Sequence, residues 1–232
     1  MKADKRFSKR YQLLVSYALQ RNEQLSDTQY DGGATSEGIY NLNNYFASYG
    51  EVSPHHILNV SGVVNIPWGF QASFISSFQS RTPFQPFIPG IDLTGSGING
   101  FPLPGSGYNQ FNVGLGKSDL VNLVNQYNQN YAGKSGPIPG QVFPKVTLPT
   151  NYDFGRNFNS QDLRITKYIP LGTERVRLKV FGEVFNLFNY ANLNSYSNNL
   201  TGTGFGQPAE RTRQIFGTGG PRAFQFGGRL NF

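Results

Sequence analysis

Several short motifs in this 232-residue chain have the residue types of a chemical site. Gly95-Ser96-Gly97-Ile98-Asn99-Gly100 has the spacing of a dinucleotide-binding loop. Such a loop must open a helix so that the helix N-terminus meets the pyrophosphate. Pro102 and Pro104 follow at once and prevent it. Gly116-Lys117-Ser118 and Gly133-Lys134-Ser135 each end like a phosphate-binding loop, but Phe111 and Asn128 stand where the first glycine of that loop belongs. His55 and His56 are adjacent, so on a strand they point to opposite faces and cannot share one metal ion. They read as rim residues at a strand start. Cysteine is absent, which excludes a disulfide framework, a thiolate zinc site and a cysteine nucleophile. No Gly-x-Ser-x-Gly elbow occurs, and the 13 acids are spread too thinly for paired acid–base work. The chain reads as neither an enzyme nor a holder of a metal or cofactor. One pair keeps a polar role: Asp162 and Arg164, two residues apart on one strand face. They read as a structural ion pair, or as part of a ligand-contacting surface.

The composition narrows the class. Charged residues are 14 % of the chain, against about 25 % in ordinary soluble domains, while aromatics reach 15 %. Charge is too sparse for a solvated helical surface, and aromatics are too frequent for a disordered chain. The net charge is +7, and Lys2, Lys5, Arg6, Lys9 and Arg10 crowd the start. That cluster reads as a turn with solvated charges. A soluble basic β-protein that binds nucleic acid is a rival reading, since strand 175–185 carries both basic and aromatic residues; it is set aside. No apolar run is long enough for a transmembrane helix or a secretory signal. Strands of a membrane barrel need only about ten alternating residues, so that class stays open.

Alternation is in fact the dominant pattern. It marks strands over Tyr11–Leu19, His56–Ile66, Phe70–Ser80, Asp162–Ile169, Arg175–Phe185 and Ala223–Phe232. Short connections at Ser8-Lys9-Arg10, Pro67–Gly69 and Pro170–Glu174 alternate with long ones over 20–55, 81–160 and 187–221. So long an irregular connection argues against a compact soluble domain. An outer-membrane barrel has short periplasmic turns and long external loops. The predicted fold is therefore all-β: an antiparallel up-and-down transmembrane β-barrel segment of about six strands with three long extracellular loops. One helix is expected in the middle loop, capped by Ser118 and carrying Leu120, Val121, Leu123 and Val124.

Each strand offers one apolar face, to lipid, and one polar face, to a lumen. Arg164, Arg177, Lys179, Glu183, Gln225 and Arg229 fall on the polar faces. Tyr11, Tyr17, Trp68, Phe70, Tyr168, Phe188, Tyr190 and Phe232 fall near strand ends, where membrane barrels carry aromatic girdles.

The stretch Arg175–Asn192, RVRLKVFGEVFNLFNYAN, resembles the penultimate strand of TonB-dependent outer-membrane receptors, and within them the Oar-like receptors with a carboxypeptidase-regulatory-like N-terminal domain. Glu183–Asn189 is its most specific piece. Lys5–Ser8 with Gln12–Tyr17, and His55–Gly62 with Pro67–Phe70, are similar to other units of that family, and Arg222–Phe232 to its closing strand. The resemblance implies a plug domain and a barrel of about 22 strands. Residues 1–232 would be the C-terminal portion of such a receptor, an incomplete barrel without its plug, since six strands fall short of the about eight a closed membrane barrel needs. Localisation in the outer membrane of a Gram-negative type bacterium follows. The implied partners are lipid and lipopolysaccharide, the barrel-assembly machinery, TonB through the plug, and a transported ligand of unknown identity; nucleic acid is not among them. Phe224, Phe226, Leu230 and Phe232 resemble the C-terminal signal that the assembly machinery captures.

Overall fold

A computed structural model describes residues 1–25, 49–93, 95, 100–212 and 218–232. Among them lie thirteen strands and one helix. In chain order these are β1 (Lys2–Ser8), β2 (Tyr11–Leu19), β3 (Glu23–Leu25), β4 (Tyr49–Glu51), β5 (His56–Ile66), β6 (Phe70–Gln79), β7 (Phe87–Pro89), β8 (Gly100–Pro102), α1 (Lys117–Asn130), β9 (Phe158–Leu171), β10 (Thr173–Phe185), β11 (Leu193–Tyr196), β12 (Pro208–Arg211) and β13 (Ala223–Asn231).

The long strands form one seven-stranded sheet in the order β1-β2-β5-β6-β9-β10-β13. Every neighbouring pair in it is antiparallel. This is the up-and-down arrangement that the alternating sequence predicts, with one strand more than the six expected. The addition is β1. Lys2, Lys5 and Arg6 lie in this strand, not in a solvated turn; only Lys9 and Arg10 form the turn. The hairpin needs a two-residue loop between Ser8 and Tyr11 with positive φ at both positions, and Lys9 and Arg10 adopt φ 48° and 77°. At the next turn Trp68 and Gly69 do the same, with φ 63° and 75°. The third turn is tighter than the expected Pro170–Glu174 segment. Leu171 pairs with Thr173 across Gly172, at φ 73°.

The register puts the apolar face of each strand in line with that of its neighbours. Leu13, Gly62, Phe74, Leu163, Val184 and Phe224 form one cross-strand row. Tyr11, Val64, Ala72, Ile165, Gly182 and Phe226 form another. Large apolar side chains in these rows stay open to the surroundings, Phe226 at 79 % exposure. A soluble sheet buries that face.

The buried apolar core lies instead in the connections. Phe84, Ile88, Ile91, Leu103, Phe111, Leu120, Val124, Tyr127, Phe143, Val146, Phe154, Leu200 and Phe205 form one cluster, without a residue from the seven-stranded sheet. Each such side chain contributes about 1.5–3 kcal/mol on burial. The long middle connection is therefore not irregular: with 193–211 it folds into a cap on one end of the sheet. Within the cap, α1 turns Leu120, Val124 and Tyr127 inward at helical spacing. Its N-cap is Gly116, not the expected Ser118. The Gly116 N–H donates to Asp119 Oδ2 at 2.8 Å, and its carbonyl accepts from Leu120 N–H at 3.1 Å. Ser118 already lies in the first turn. Phe84 stacks on Phe154 at 5.3 Å between ring centres, and Phe111 meets Phe154 edge-on at 5.3 Å. Asn128 ties the helix to the following segment through both atoms of its amide, at 2.8 and 2.9 Å from the Val146 backbone.

Candidate functional site

The polar face of the sheet is built by the same register that aligns its apolar face. Gln12, Val63, Ser73, Arg164, Glu183 and Gln225 stand opposite one another in a single row across six strands. Two rows toward the short turns, Tyr168, Lys179 and Arg229 align, and beyond them Pro170, Arg177 and Asn231. Arg164, Arg177, Lys179, Glu183, Gln225 and Arg229 thus share one face. A groove of about 340 Å³ crosses it, lined by Gln12, Ser61, Ser73, Asp162, Arg164 and Glu183 among others.

Asp162 and Arg164 do not bridge each other, as their spacing suggested. Residues two apart on a strand are farther from each other than from the residue directly opposite. Arg164 faces Glu183, with Nε 3.8 Å from Oε2, and its guanidinium carbon stands 3.8 Å from the centre of the Phe181 ring. Phe181 in turn covers Gly227 of β13 so closely that a Cβ there would stand 2.5 Å from the ring. Asp162 is buried and serves a different end. Its Oδ1 accepts from Ser160 Oγ at 3.2 Å and from the Asn186 N–H at 2.8 Å, and its Oδ2 accepts from Thr218 Oγ1 at 3.1 Å.

That network explains the most specific stretch of the sequence. Asn186 ends β10 with φ 49°, a conformation that asparagine tolerates better than most residues. Its fully buried amide donates to Tyr190 O at 2.9 Å and Gly220 O at 2.6 Å, and accepts from the Tyr190 N–H at 3.0 Å. Asn192 clamps alongside, donating to Asn159 O and Gly219 O at 2.8 and 2.9 Å. The carboxylate of one strand and two asparagines thus fix where the last long connection leaves the sheet and returns. The sequence signal for this was present, in the Asn-Leu-Phe-Asn run, but Thr218 and Gly219 gave none.

The aromatic residues divide. Trp68, 83 % exposed, stands at the tip of its turn, and Lys167 on the apolar face reaches back over the Phe70 ring at 4.4 Å while donating to the Trp68 carbonyl. This is a snorkelling geometry: an apolar stem along the sheet with the ammonium at the edge. Tyr168 is a correction. It sits on the polar face, its hydroxyl donating to Gln71 Oε1 at 3.4 Å and its ring 5.7 Å from Lys179 Nζ, so it belongs to no outward girdle. Phe224, Phe226 and Leu230 are exposed on the apolar face of β13, and Phe232, next in the same alternation, is exposed as well.

The remaining motifs are structural. His55 pairs with Glu51, which Arg21 also meets at 3.3 Å, while His56 bonds Tyr17 Oη at 2.7 Å. The two rings serve different partners, and no group of three metal-ligating side chains occurs among the described residues. Gly116-Lys117-Ser118 does open a helix, but Phe111 is wholly buried where a phosphate loop needs glycine. Ser96–Asn99 lie outside the described residues.

An antiparallel sheet with an exposed apolar face, a polar opposite face, short turns at one end and a folded cap at the other defines an outer-membrane β-barrel protein. The family model of the outer membrane beta barrel domain matches residues 1–225, and the chain belongs to that family. No curated protein and no solved structure shows a match. Membership places the chain in the outer membrane, its apolar face against lipid.

Proposed function

We propose that the chain forms part of a TonB-energised receptor of the Oar-like kind, taking up a large, scarce nutrient such as an iron chelate, an oligosaccharide or a peptide. The observation that supports this most is the cap, a folded outer unit with its own core around Phe111, Tyr127 and Phe205. A passive pore has no need of one, whereas capture of a dilute solute benefits from a preorganised surface. In this reading the role is binding and transport, not catalysis, and needs no cofactor. Arg164, Arg177, Lys179, Glu183, Gln225 and Arg229 line the lumen. TonB acts through a plug domain of the parent protein. The barrel-assembly machinery engages the series Phe224, Phe226, Leu230 and Phe232.

The test is uptake of radiolabelled iron chelates, oligosaccharides and peptides by cells that carry the full-length gene product. Accumulation that stops in cells lacking TonB, or after collapse of the proton gradient, supports the reading. Flux that persists in both conditions identifies a passive porin. No flux, with loss of surface attachment on deletion, identifies an adhesion scaffold.

A further inference from the structure

The cap carries a feature that neither its core nor the sheet requires. The segment 150–157 crosses it as a strap that lines three openings. One, of about 390 Å³, is lined by Lys117, Tyr152, Asp153, Arg156, Tyr196 and Gln207 among others. A second, of about 310 Å³, shares Arg156 and Tyr196 with the first. A third, of about 650 Å³, shares Lys117 and Asp153 with it and adds Arg81. The shared residues are walls between neighbouring openings, and the first, lined by both Lys117 and Arg156, is the cleft with two cations.

The cleft is held open by contacts that fix the strap. Lys117 Nζ donates to Tyr152 O at 2.7 Å. The Asp153 N–H donates to Gly206 O at 3.1 Å. Gly206 itself has φ 69°, and a Cβ there would stand 2.5 Å from Tyr152 Cβ and 2.9 Å from Asp153 N. Tyr152 packs on Phe154 and Phe205 at 5.8 and 5.6 Å between ring centres. The walls are therefore anchored in the buried core, as a preformed site requires.

Its charge is one-sided. Two cations, Lys117 and Arg156, come to it from separate stretches of chain, with Arg81 in a neighbouring opening, against one acid. Asp153 is 4.0 Å from Lys117 Nζ, and its Oδ1 accepts from the Phe154 N–H at 2.9 Å. Arg81 and Arg156 are exposed, and neither has an acidic partner among the described residues. Uncompensated guanidinium groups against tyrosine walls suit an anionic group carried on an organic body. The guanidinium bonds the anion, and the rings pack the remainder.

We infer that this cleft binds a small organic or inorganic anion, a carboxylate or a phosphate, with Arg156 and Lys117 as the cations that hold it. This rests on the receptor reading, which makes the cap the outer, ligand-facing side, and it names the ligand chemistry of that side.

The experiment is calorimetric titration of the detergent-folded, full-length protein with inorganic pyrophosphate, with succinate and with glucose. Saturable binding of at least one anion, weakened by added salt, is expected, with no response to glucose. Whichever anion binds tells phosphate from carboxylate chemistry. Arg156→Gln should weaken binding about tenfold, the scale of one lost charge-assisted hydrogen bond. Lys134→Gln, on the cap surface away from the cleft, should leave it unchanged. Heat-modifiable migration of each variant checks folding. Absence of anion binding by the unaltered protein overturns the inference. So does equal binding by a folded Arg156→Gln variant, or an equal response to glucose. The titration needs neither TonB nor a proton gradient. Failure of energised uptake with intact binding would remove the receptor reading alone, and failure of binding with intact uptake would remove this one alone.

Discussion

Arg164 of β9 stands over the ring of Phe181 of β10, guanidinium carbon to ring centre 3.8 Å, while the same side chain meets Glu183 at 3.8 Å. The arginine thus joins a carboxylate and an aromatic face on the polar side of the sheet. A contact of this kind contributes about 0.5–2 kcal/mol, depending on how far the cation is desolvated. A double-mutant cycle of Arg164→Ala and Phe181→Leu, followed by urea unfolding in detergent micelles, should return a coupling in that range. Strictly additive losses would show that the two groups do not stabilise each other.

Asp162 has the larger expected effect. Asp162→Ala leaves the buried Asn186 N–H and the hydroxyls of Ser160 and Thr218 without their acceptor. The expected cost is about 1–3 kcal/mol. The connection 187–221 should also become more sensitive to protease, since it is the segment this network ties down. Asp162→Asn, which keeps one oxygen acceptor, should cost less. Equal stability of all three proteins would contradict the anchoring role.

The two faces of β13 give a paired test. Phe226 is on the apolar face and Gln225 on the polar one, opposite Glu183. Phe226→Arg should lower stability in bilayers by about 2–4 kcal/mol, as a charge facing lipid near the midplane does. Gln225→Arg should change it little, because it gains an acidic neighbour. The reverse order of effects would mean that Gln225, not Phe226, faces lipid.

Tyr127 supplies a pH dependence. It is 1 % exposed, its hydroxyl has no hydrogen-bond partner among the described residues, and burial pushes its pKa up to about 12. The raised value means that the folded cap retains this proton at a pH where the unfolded chain releases it. The stability is complete below about pH 10, the value of an exposed tyrosine, and is lost progressively as pH rises toward about 12. Tyr127→Phe removes both the ionisable group and an unsatisfied buried hydroxyl. It should leave stability at neutral pH unchanged or higher, and flatten its alkaline decline. A clear destabilisation at neutral pH would reveal a hydrogen bond at Tyr127 Oη.

The absence of cysteine makes the orientation directly testable. A single cysteine at Lys134, exposed on the cap, should react in intact cells with a maleimide that cannot cross the outer membrane. One at Gly172, in the opposite short turn, should react only after the membrane is opened. The opposite pattern would invert the protein.

The sheet was legible because its physics is local. With side chains alternating every residue, Tyr11–Leu19 and His56–Ile66 could be delimited to the residue, and the faces of β9, β10 and β13 followed without knowledge of register. What alternation cannot give is which neighbour a side chain prefers. Asp162 and Arg164 were paired along the strand, whereas Glu183, Phe181 and Thr218 took them across it. The place of Tyr168 near a strand end suits a girdle, but its parity with Thr166 and Arg164 puts it on the polar face. β1 was hidden because five basic residues in ten masked a weak alternation.

The cap was the least legible part. Its core draws Phe84, Phe111, Phe154, Leu200 and Phe205 from positions with no common period, separated by glycine and proline. Local pattern carries no trace of such contacts, since they exist only once the segments have met. The helix alone had a periodic signal, and even there the cap falls at Gly116, whose N–H is held by Asp119 Oδ2.

In a meander of seven strands the first and the last point the same way, so β1 and β13 are parallel across the sheet. Zipping these two edges directly together would create a parallel seam in an otherwise antiparallel cylinder. Bacterial single-chain barrels instead close with an even tally and no such seam. By simple parity, a cylinder closed without such a seam would need an odd number of strands between β13 and β1, with the neighbour of each edge running against it.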